Sequence, residues 1–526
     1  MLKDFRFSLL FVLTAALSAN AADKMNVLYV VSDDLCNRLA CYGDPLARTP
    51  NLDRLAAKGI RFDKAYCQYP LCAPSRSSFL TGLRPDHTGQ LSNGGHFRDN
   101  IPDVQTMPQS FQKAGYYVAR VGKLFHYGVP TQIGTDGVDD PKSWQHVVNP
   151  RGADKDVEDR IHTLVPGQFG GVLSWLAVEG SDADQTDGIG AAETIKLLEA
   201  NQDKPFFLAC GFYRPHTPYV ATKNFFKLYP LEKCTPAEVP SDHRAMHPAA
   251  AFGSYKKEQD QLDDKTRREI IQAYYASISL MDAQVGKLLD ALDRLKLADK
   301  TIVVFHSDHG YHLSEHGLWQ KQSIWEQSAR VPLLIYDPRA KANGRSCPRT
   351  VELVDLHATL ADLCDIEAPQ TDGESLKPLL ADPIAAWDHP AFSQVLRGVP
   401  VGTTSPAINA PADSPADPKA AAASAKKPGA KKQAGKKKQN AVAAAGDAPK
   451  SDTPKTGAGA TKRKGGFLGR AIRTERFRYI EWDEGRQGLQ LYDHEADPEE
   501  MKNLADDPKY AEVVKDLSAK LRASYK

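Results

Sequence analysis

The chain of 526 residues is too long for a single small module and suits one large α/β domain with additions, or about three smaller domains. Apolar residues at 41% and charged residues at 25% are the proportions of a soluble globular protein, which excludes collagen-like and wholly disordered chains. Lys plus Arg number 67 against 66 Asp plus Glu, and a net charge of +1 excludes a chain-wide surface for nucleic acid.

At the N-terminus Lys3 and Arg6 precede a short apolar run, Phe7 to Leu17, and Ala19-Asn20-Ala21 supplies the small residues of a signal-peptide cleavage site. Residues 1–21 are expected to direct export and be removed, leaving a periplasmic or secreted protein. The run falls short of the roughly 20 apolar residues that a spanning helix needs, so no stable membrane anchor is expected.

Asn26–Val31 is a continuous apolar run rich in β-branched residues, the pattern of a strand buried on both faces of a parallel sheet. It ends at Ser32-Asp33-Asp34. Tyr117–Val121, Phe206–Cys210, Thr301–His306 and Val331–Tyr336 have the same look, and helical patterns such as Met107–Ala114 and Lys265–Leu295 lie between them. This alternation predicts a doubly wound α/β domain over residues 22–400. Its sheet should be mostly parallel and flanked by helices, with functional groups at the carboxyl ends of the strands.

Residues 401–466 break the pattern. They hold 13 Lys/Arg, 4 Asp/Glu and no aromatic residue, a local charge of +9 that leaves −8 on the rest of the chain. Such a composition lacks the apolar surface needed to offset ordering entropy, so a disordered, solvated insertion is expected, with docking on a polyanion or the cell surface as the alternative. Beyond it, Arg470–Trp482 and Gly488–Tyr492 read as strands and Ala511–Tyr525 as a helix, a small C-terminal α+β subdomain over 467–526. The eight cysteines are too sparse for a disulfide scaffold and show no zinc spacing; Cys36 with Cys41, and Cys67 with Cys234, are expected either buried or bridged.

Polar groups follow strand after strand: Asp33 and Asp34 after the first, Lys123 and His126 after Tyr117–Val121, His216 after Phe206–Cys210, Asp308 and His309 after Thr301–His306. These should converge. Three carboxylates and one imidazole form a mostly oxygen-donor set, which suits calcium or magnesium better than zinc.

The stretch Cys72-Ala73-Pro74-Ser75-Arg76, continuing through Ser77-Ser78-Phe79-Leu80-Thr81-Gly82, resembles the Cys-x-Pro-Ser-Arg signature of type I sulfatases, in which the Cys becomes formylglycine. Pro74 is expected at the first helical position, with Cys72 just before a helix N-terminus whose free amides favour an anion such as sulfate. Gly122–His126, Gly211–His216, Ser307–Gly310, Leu313–Gly317 and Trp319-Gln320-Lys321 are similar to the iduronate-2-sulfatase branch of the family. Leu491-Tyr492-Asp493 with Asp497-Pro498 resembles its C-terminal subdomain.

The resemblance implies an alkaline-phosphatase-like fold and a calcium ion held by Asp33, Asp34, Asp308 and His309 together with the formylglycine at Cys72. It implies covalent catalysis, in which the hydrated aldehyde attacks sulfur and its second hydroxyl permits collapse and sulfate release. Arg76 and Lys123 would balance charge, His126 would act as a base, and His216 and Lys321 would bind sulfate oxygens and help protonate the leaving oxygen. His306, His312 and His316 are expected only as supporting or substrate-side residues. The implied partners are a sulfated carbohydrate, such as a sulfated uronic acid in a polysaccharide, and a formylglycine-generating maturation enzyme, with no nucleic acid. Two alternatives stay open: a formylglycine-dependent phosphonate monoester or phosphodiester hydrolase, and a non-catalytic protein binding sulfated glycans through its cationic insertion.

Overall fold

The computed structural model describes residues 24–398 and 466–525; the leader expected over 1–21 and the insertion over 401–466, its final glycine apart, lie outside them. Eight strands form the main sheet: β1 Asn26–Ser32, β2 Ile60–Tyr66, β3 Tyr117–Gly122, β4 His146–Val148, β5 Phe206–Gly211, β6 Thr301–Ser307, β7 Arg330–Tyr336 and β8 Ser346–Glu352. Their order is β8-β2-β7-β6-β1-β5-β3-β4. Every pairing is parallel except those of β7, which runs antiparallel to both β2 and β6.

Alternation along β1 feeds two cores, as the two-residue period of a strand requires. Leu28 and Val30 join one cluster with Leu208, Phe305 and residues of helices α1 Pro50–Lys58, α4 Thr186–Ala200 and α5 Asp264–Arg294. Val27, Tyr29 and Val31 join the other, with Phe207, Val304 and residues of α2 Cys72–Thr81, α3 Met107–Lys113 and α6 Asp355–Leu363. The sheet is thus sandwiched between two helical layers, the doubly wound arrangement expected.

In the main sheet the sequence reading missed β2, β8 and the three-residue edge strand β4. In β2 (Ile-Arg-Phe-Asp-Lys-Ala-Tyr) charged residues interrupt the apolar run. In β8 Pro348 sits at a register shift between Cys347 and Thr350, tolerated because β8 is an edge strand. Asp263 caps the long helix α5 by accepting the Thr266 N–H at 2.7 Å.

A second, antiparallel sheet is built from β9 Ala391–Arg397, β10 Phe467–Arg473, β11 Phe477–Trp482 and β12 Leu489–Asp493. Its first strand therefore precedes the insertion. Helix α7, Ala511–Ala523, covers one face through Leu517 and Leu521 against Ile472, Tyr479 and Leu491. The other face, with Val395, Ala471, Ile480 and Trp482, packs on Tyr69, Leu71, Leu318 and Trp325 of the main domain. All eight cysteines are unbridged; Cys36, Cys67 and Cys234 are buried and Cys41 half-buried. Among the described residues no helix is long and apolar enough to cross a membrane.

Candidate active site

The carboxyl ends of four neighbouring strands finish level. Ser32 of β1 pairs with Ser307 of β6, Val31 with Gly211 of β5, and Gly211 with Gly122 of β3. The next residues, Asp33, Asp308 and Lys123, therefore emerge side by side. Close approach needs the glycines: a Cβ on Gly211 would lie 2.0 Å from the Lys123 carbonyl oxygen, and one on Gly122 would lie 2.2 Å from that of Gly211. Antiparallel β7 adds the remaining side. Because it starts where β6 ends, residues 308–329 stay at this edge and bring Asp308, His309 and Lys321 there.

Helix α2 begins at Cys72 itself, with Leu71 as its cap, so Pro74 is the third helical residue and not the first. The shift costs nothing, since the first four helical N–H groups have no partner within the helix. Asn93 Oδ1 accepts the Ala73 N–H at 3.0 Å.

Around Cys72 Sγ stand Lys321 Nζ at 3.1 Å, His309 Nε2 at 3.5 Å and Asp34 Oδ1 at 3.9 Å. Arg76, fully buried, donates to Asp308 Oδ2 at 2.9 Å, Asp33 Oδ1 at 3.0 Å and the carbonyls of Lys123 and Leu124 at 2.7 and 2.9 Å. Lys123 Nζ takes the other Asp33 oxygen at 2.6 Å. Burying such charges costs several kcal/mol per ion unless partners replace the lost water, and this pairing supplies them.

Burial alone would raise the Cys72 thiol, but Lys123 and Lys321, aided by His126 and His216, hold it well below its ordinary value. The other seven cysteines are all pushed up by burial. His126 is pushed down by its burial and so is a neutral base at neutral pH. Asp33 is held low by Lys123 against the opposing effect of burial, while burial prevails at Asp308 and raises it.

The cluster suits a hard cation. One ligand atom each from Asp34, Cys72, Asp308 and His309 lie within 4.8 Å of one another, and Asp33, Asp34, Cys72 and His216 form an overlapping group. His309 Nδ1 is 3.0 Å from the Gly310 carbonyl, a bond that places the proton on Nδ1 and leaves Nε2 to face Asp34 and Asp308 at 3.3 and 3.6 Å. Asp34, held at φ 63°, has a buried Oδ2 with no hydrogen-bond partner. An orphaned carboxylate oxygen aimed at other donors is the feature a bound cation would satisfy.

The ten residues singled out from the sequence thus lie together, His216 with its Nδ1 2.6 Å from the Thr217 carbonyl and its Nε2 3.8 Å from Asp34 Oδ2. His306 does not join them: it bonds the Tyr29 hydroxyl at 2.7 Å and packs edge-on to Phe79 within the core. His312 bonds Ser323, and His316 stacks on Trp325 at 3.9 Å and bonds His243. Sequence reasoning missed Asn93 and also Lys256, whose Nζ donates to Gln320 Oε1 at 2.5 Å beside Lys321. Both come from irregular loops that carry no periodic signal.

The Sulfatase family profile matches residues 25–366, and the profile "N-sulphoglucosamine sulphohydrolase, C-terminal" matches 467–526. Iduronate 2-sulfatase of Mus musculus is 36% identical over 400 residues, covering 68% of this chain and 71% of the relative. Among solved structures, the phosphonate monoester hydrolase of Agrobacterium radiobacter superposes with a TM-score of 0.70 at 22% identity, over 96% of each chain. A 2-O GAG sulfatase superposes with a TM-score of 0.64 at 20% identity, over 95% of this chain and 91% of that one. These structures share the alkaline-phosphatase-like architecture. A match across most of the main domain, with a relative more than one-third identical, makes this chain a member of the sulfatase family and a sulfuric ester hydrolase.

Proposed function

We propose that the protein is an exported, calcium-dependent sulfatase that removes an O-sulfate ester from a carbohydrate, with an iduronate-type 2-O-sulfated uronic acid in glycosaminoglycan fragments as its preferred substrate. Cys72 is converted to formylglycine by a maturation enzyme before the chain folds. The observation that carries this reading is the setting of Cys72: alone among eight cysteines it is drawn toward the charged form, at a helix N-terminus, between Lys321 and His309. The mouse iduronate 2-sulfatase and the solved 2-O GAG sulfatase support the choice of sugar.

A calcium ion held by Asp33, Asp34, Asp308 and His309 would supply a Lewis acid for the sulfate oxygens, and the hydrated aldehyde at position 72 an oxygen nucleophile. The remaining work falls to the chain's own side chains. Arg76 locks Asp33 and Asp308 in place and offsets their charge. Lys123 and Lys321 present fixed ammonium groups to the sulfate, where negative charge grows in the transition state. His126, kept neutral by burial, takes a proton from the group at position 72. With Nδ1 committed to the Thr217 carbonyl, His216 turns Nε2 toward the cluster and the leaving sugar oxygen, which it helps Lys321 to protonate.

Sulfate release from defined sulfated mono- and disaccharides, by protein produced with the maturation enzyme, tests the reading. The 2-O-sulfated uronates should be turned over fastest, aryl phosphates and phosphonates far more slowly, and Cys72→Ala should release no sulfate while folding normally. Peptide mass spectrometry of active protein showing an unaltered thiol at residue 72 would overturn the mechanism.

A further inference from the structure

Next to the Lys321 turn stands an ammonium group whose hydrogen-bond partners among the described residues are neutral. Lys256 extends from the loop between the turns Ala249–Phe252 and Lys257–Gln259. Its Nζ donates to Gln320 Oε1 at 2.5 Å and to the Gly171 carbonyl, both neutral, and among the described residues it forms no ion pair. Lys123 and Lys321, by contrast, each sit on a carboxylate. Burial draws Lys256 down to about 8, still mostly protonated at neutral pH; Glu258, too far to form an ion pair, pulls the other way, and Lys321 and Asp34 are the weaker charges acting on it.

The position is built, not incidental. Arg397, buried, donates to the Ala250 carbonyl at 3.0 Å and to the Gln322 carbonyl at 2.7 Å, tying the Lys256 loop to the Lys321 turn. Phe252 and Tyr255 pack in the apolar cluster around Trp325, and Arg244 lies 3.8 Å over the Tyr255 ring. The Gly171 side is fixed as well, since the Thr217 hydroxyl next to His216 donates to the Gly170 carbonyl at 2.7 Å. Gln320 and Gln322 are both held in the left-handed region, at φ 69° each, which is strain of the kind stored at functional sites. Three separate loops thus place Lys256 against Gln320, the neighbour of Lys321, and against the glycine turn that Thr217 anchors.

We propose that Lys256 forms an anion-recognition subsite beside the scissile sulfate, binding a second negatively charged substituent of the substrate, a carboxylate or a further sulfate on the same or the adjoining sugar. The inference rests on the carbohydrate sulfatase reading and adds what that reading leaves open, namely which sugars are chosen. A half-buried ammonium with only carbonyl acceptors gains a charge-assisted bond when such a substituent arrives, whereas a neutral sugar leaves it unmatched.

The test uses matured protein and substrate pairs that differ by one charge: a 2-O-sulfated uronate disaccharide against its carboxyl-reduced form, and glucosamine 6-O-sulfate with and without N-sulfate. For Lys256→Met, kcat/KM should fall about tenfold more on the charged member of one pair than on its neutral partner, mainly through KM, the size of one lost charged contact. Lys256→Arg should recover most of the loss. The pair that shows the difference identifies the substituent as carboxylate or sulfate. Equal losses on both members of both pairs, or none, would overturn the proposal and leave Lys256 a support for Gln320. If no sugar sulfate is turned over, the carbohydrate reading itself fails; aryl sulfates with and without a ring carboxylate then decide Lys256 by the same comparison.

Discussion

Lys321 Nζ lies 3.1 Å from Cys72 Sγ although 249 positions separate the two residues. The approach depends on antiparallel β7, which sends the chain back into the sheet only after residues 308–329 have crossed the catalytic edge. It also sets the electrostatics of the thiol, since Lys321 and Lys123 are the main groups opposing its burial.

In protein made without the maturation enzyme, Cys72 is therefore expected to be the one thiol ionised at neutral pH. Burial carries Cys36, Cys234 and Cys347 up to about 11, Cys41, Cys210 and Cys364 to about 12, and Cys67 higher still. A lowered folded value means the thiolate persists as pH falls through the normal thiol range and protonates only below it. Ultraviolet thiolate absorbance at neutral pH should be present in the wild type, absent in Cys72→Ala and reduced in Lys321→Met. Matured Lys321→Met should lose about 10²- to 10³-fold in kcat, the range for removing one transition-state donor. Equal absorbance in wild type and Cys72→Ala would contradict this account.

Asp34 provides the test of the cation. Its Oδ2 is buried without a hydrogen-bond partner, so Asp34→Asn removes a ligand atom without breaking a bond made by that oxygen. Calcium at about 100 times its Kd should stabilise the wild type by about 2.7 kcal/mol, read as a rise in Tm, and chelation should reverse both this rise and turnover. In Asp34→Asn the calcium-dependent rise should shrink or vanish. A rise equal to that of the wild type would remove Asp34 from the ligand set.

Much of this site is legible in the amino-acid order because parallel strands must end on one edge. Asp33, Lys123 and Asp308 each directly follow an apolar run, and the registers of β1, β3, β5 and β6 make those positions neighbours, while His216 follows β5 after a short loop. The helix start at Cys72 is misplaced by two residues because proline is tolerated anywhere in the first turn, so Pro74 fixes the turn but not the residue. β2 and β8 escape notice because Asp63, Lys64 and Pro348 break the apolar pattern. Lys256, Asn93 and Arg397 could not be read from spacing at all. Their positions depend on loops whose course is set by tertiary hydrogen bonds such as those from Arg397 to the Ala250 and Gln322 carbonyls.

The segment carrying Lys321 is anchored by a buried ion network that should make stability depend on pH in a defined direction. Arg478 on β11 pairs with Glu326 and, at 2.6 Å, with Glu500, whose other oxygen accepts the Glu326 N–H at 2.8 Å. Arg473 and His494 close the network on the same two carboxylates. Burial would raise Glu326 and Glu500, but Arg473 and Arg478 at the first, and Arg478 with His494 at the second, hold both below the ordinary range. A depressed folded value contributes stability above the unfolded value of about 4.3, and that contribution is lost as pH falls toward the folded value. Glu500→Gln should thus cost about 3–5 kcal/mol at neutral pH, as expected when one member of a buried pair is removed. Its deficit relative to wild type should narrow once the pH drops below about 4, where the wild-type carboxylates begin to protonate in the unfolded chain. Urea unfolding of both proteins across that range measures the gap directly. A gap independent of pH would mean that Glu500 acts through the hydrogen bond it accepts from the Glu326 N–H and not through its charge.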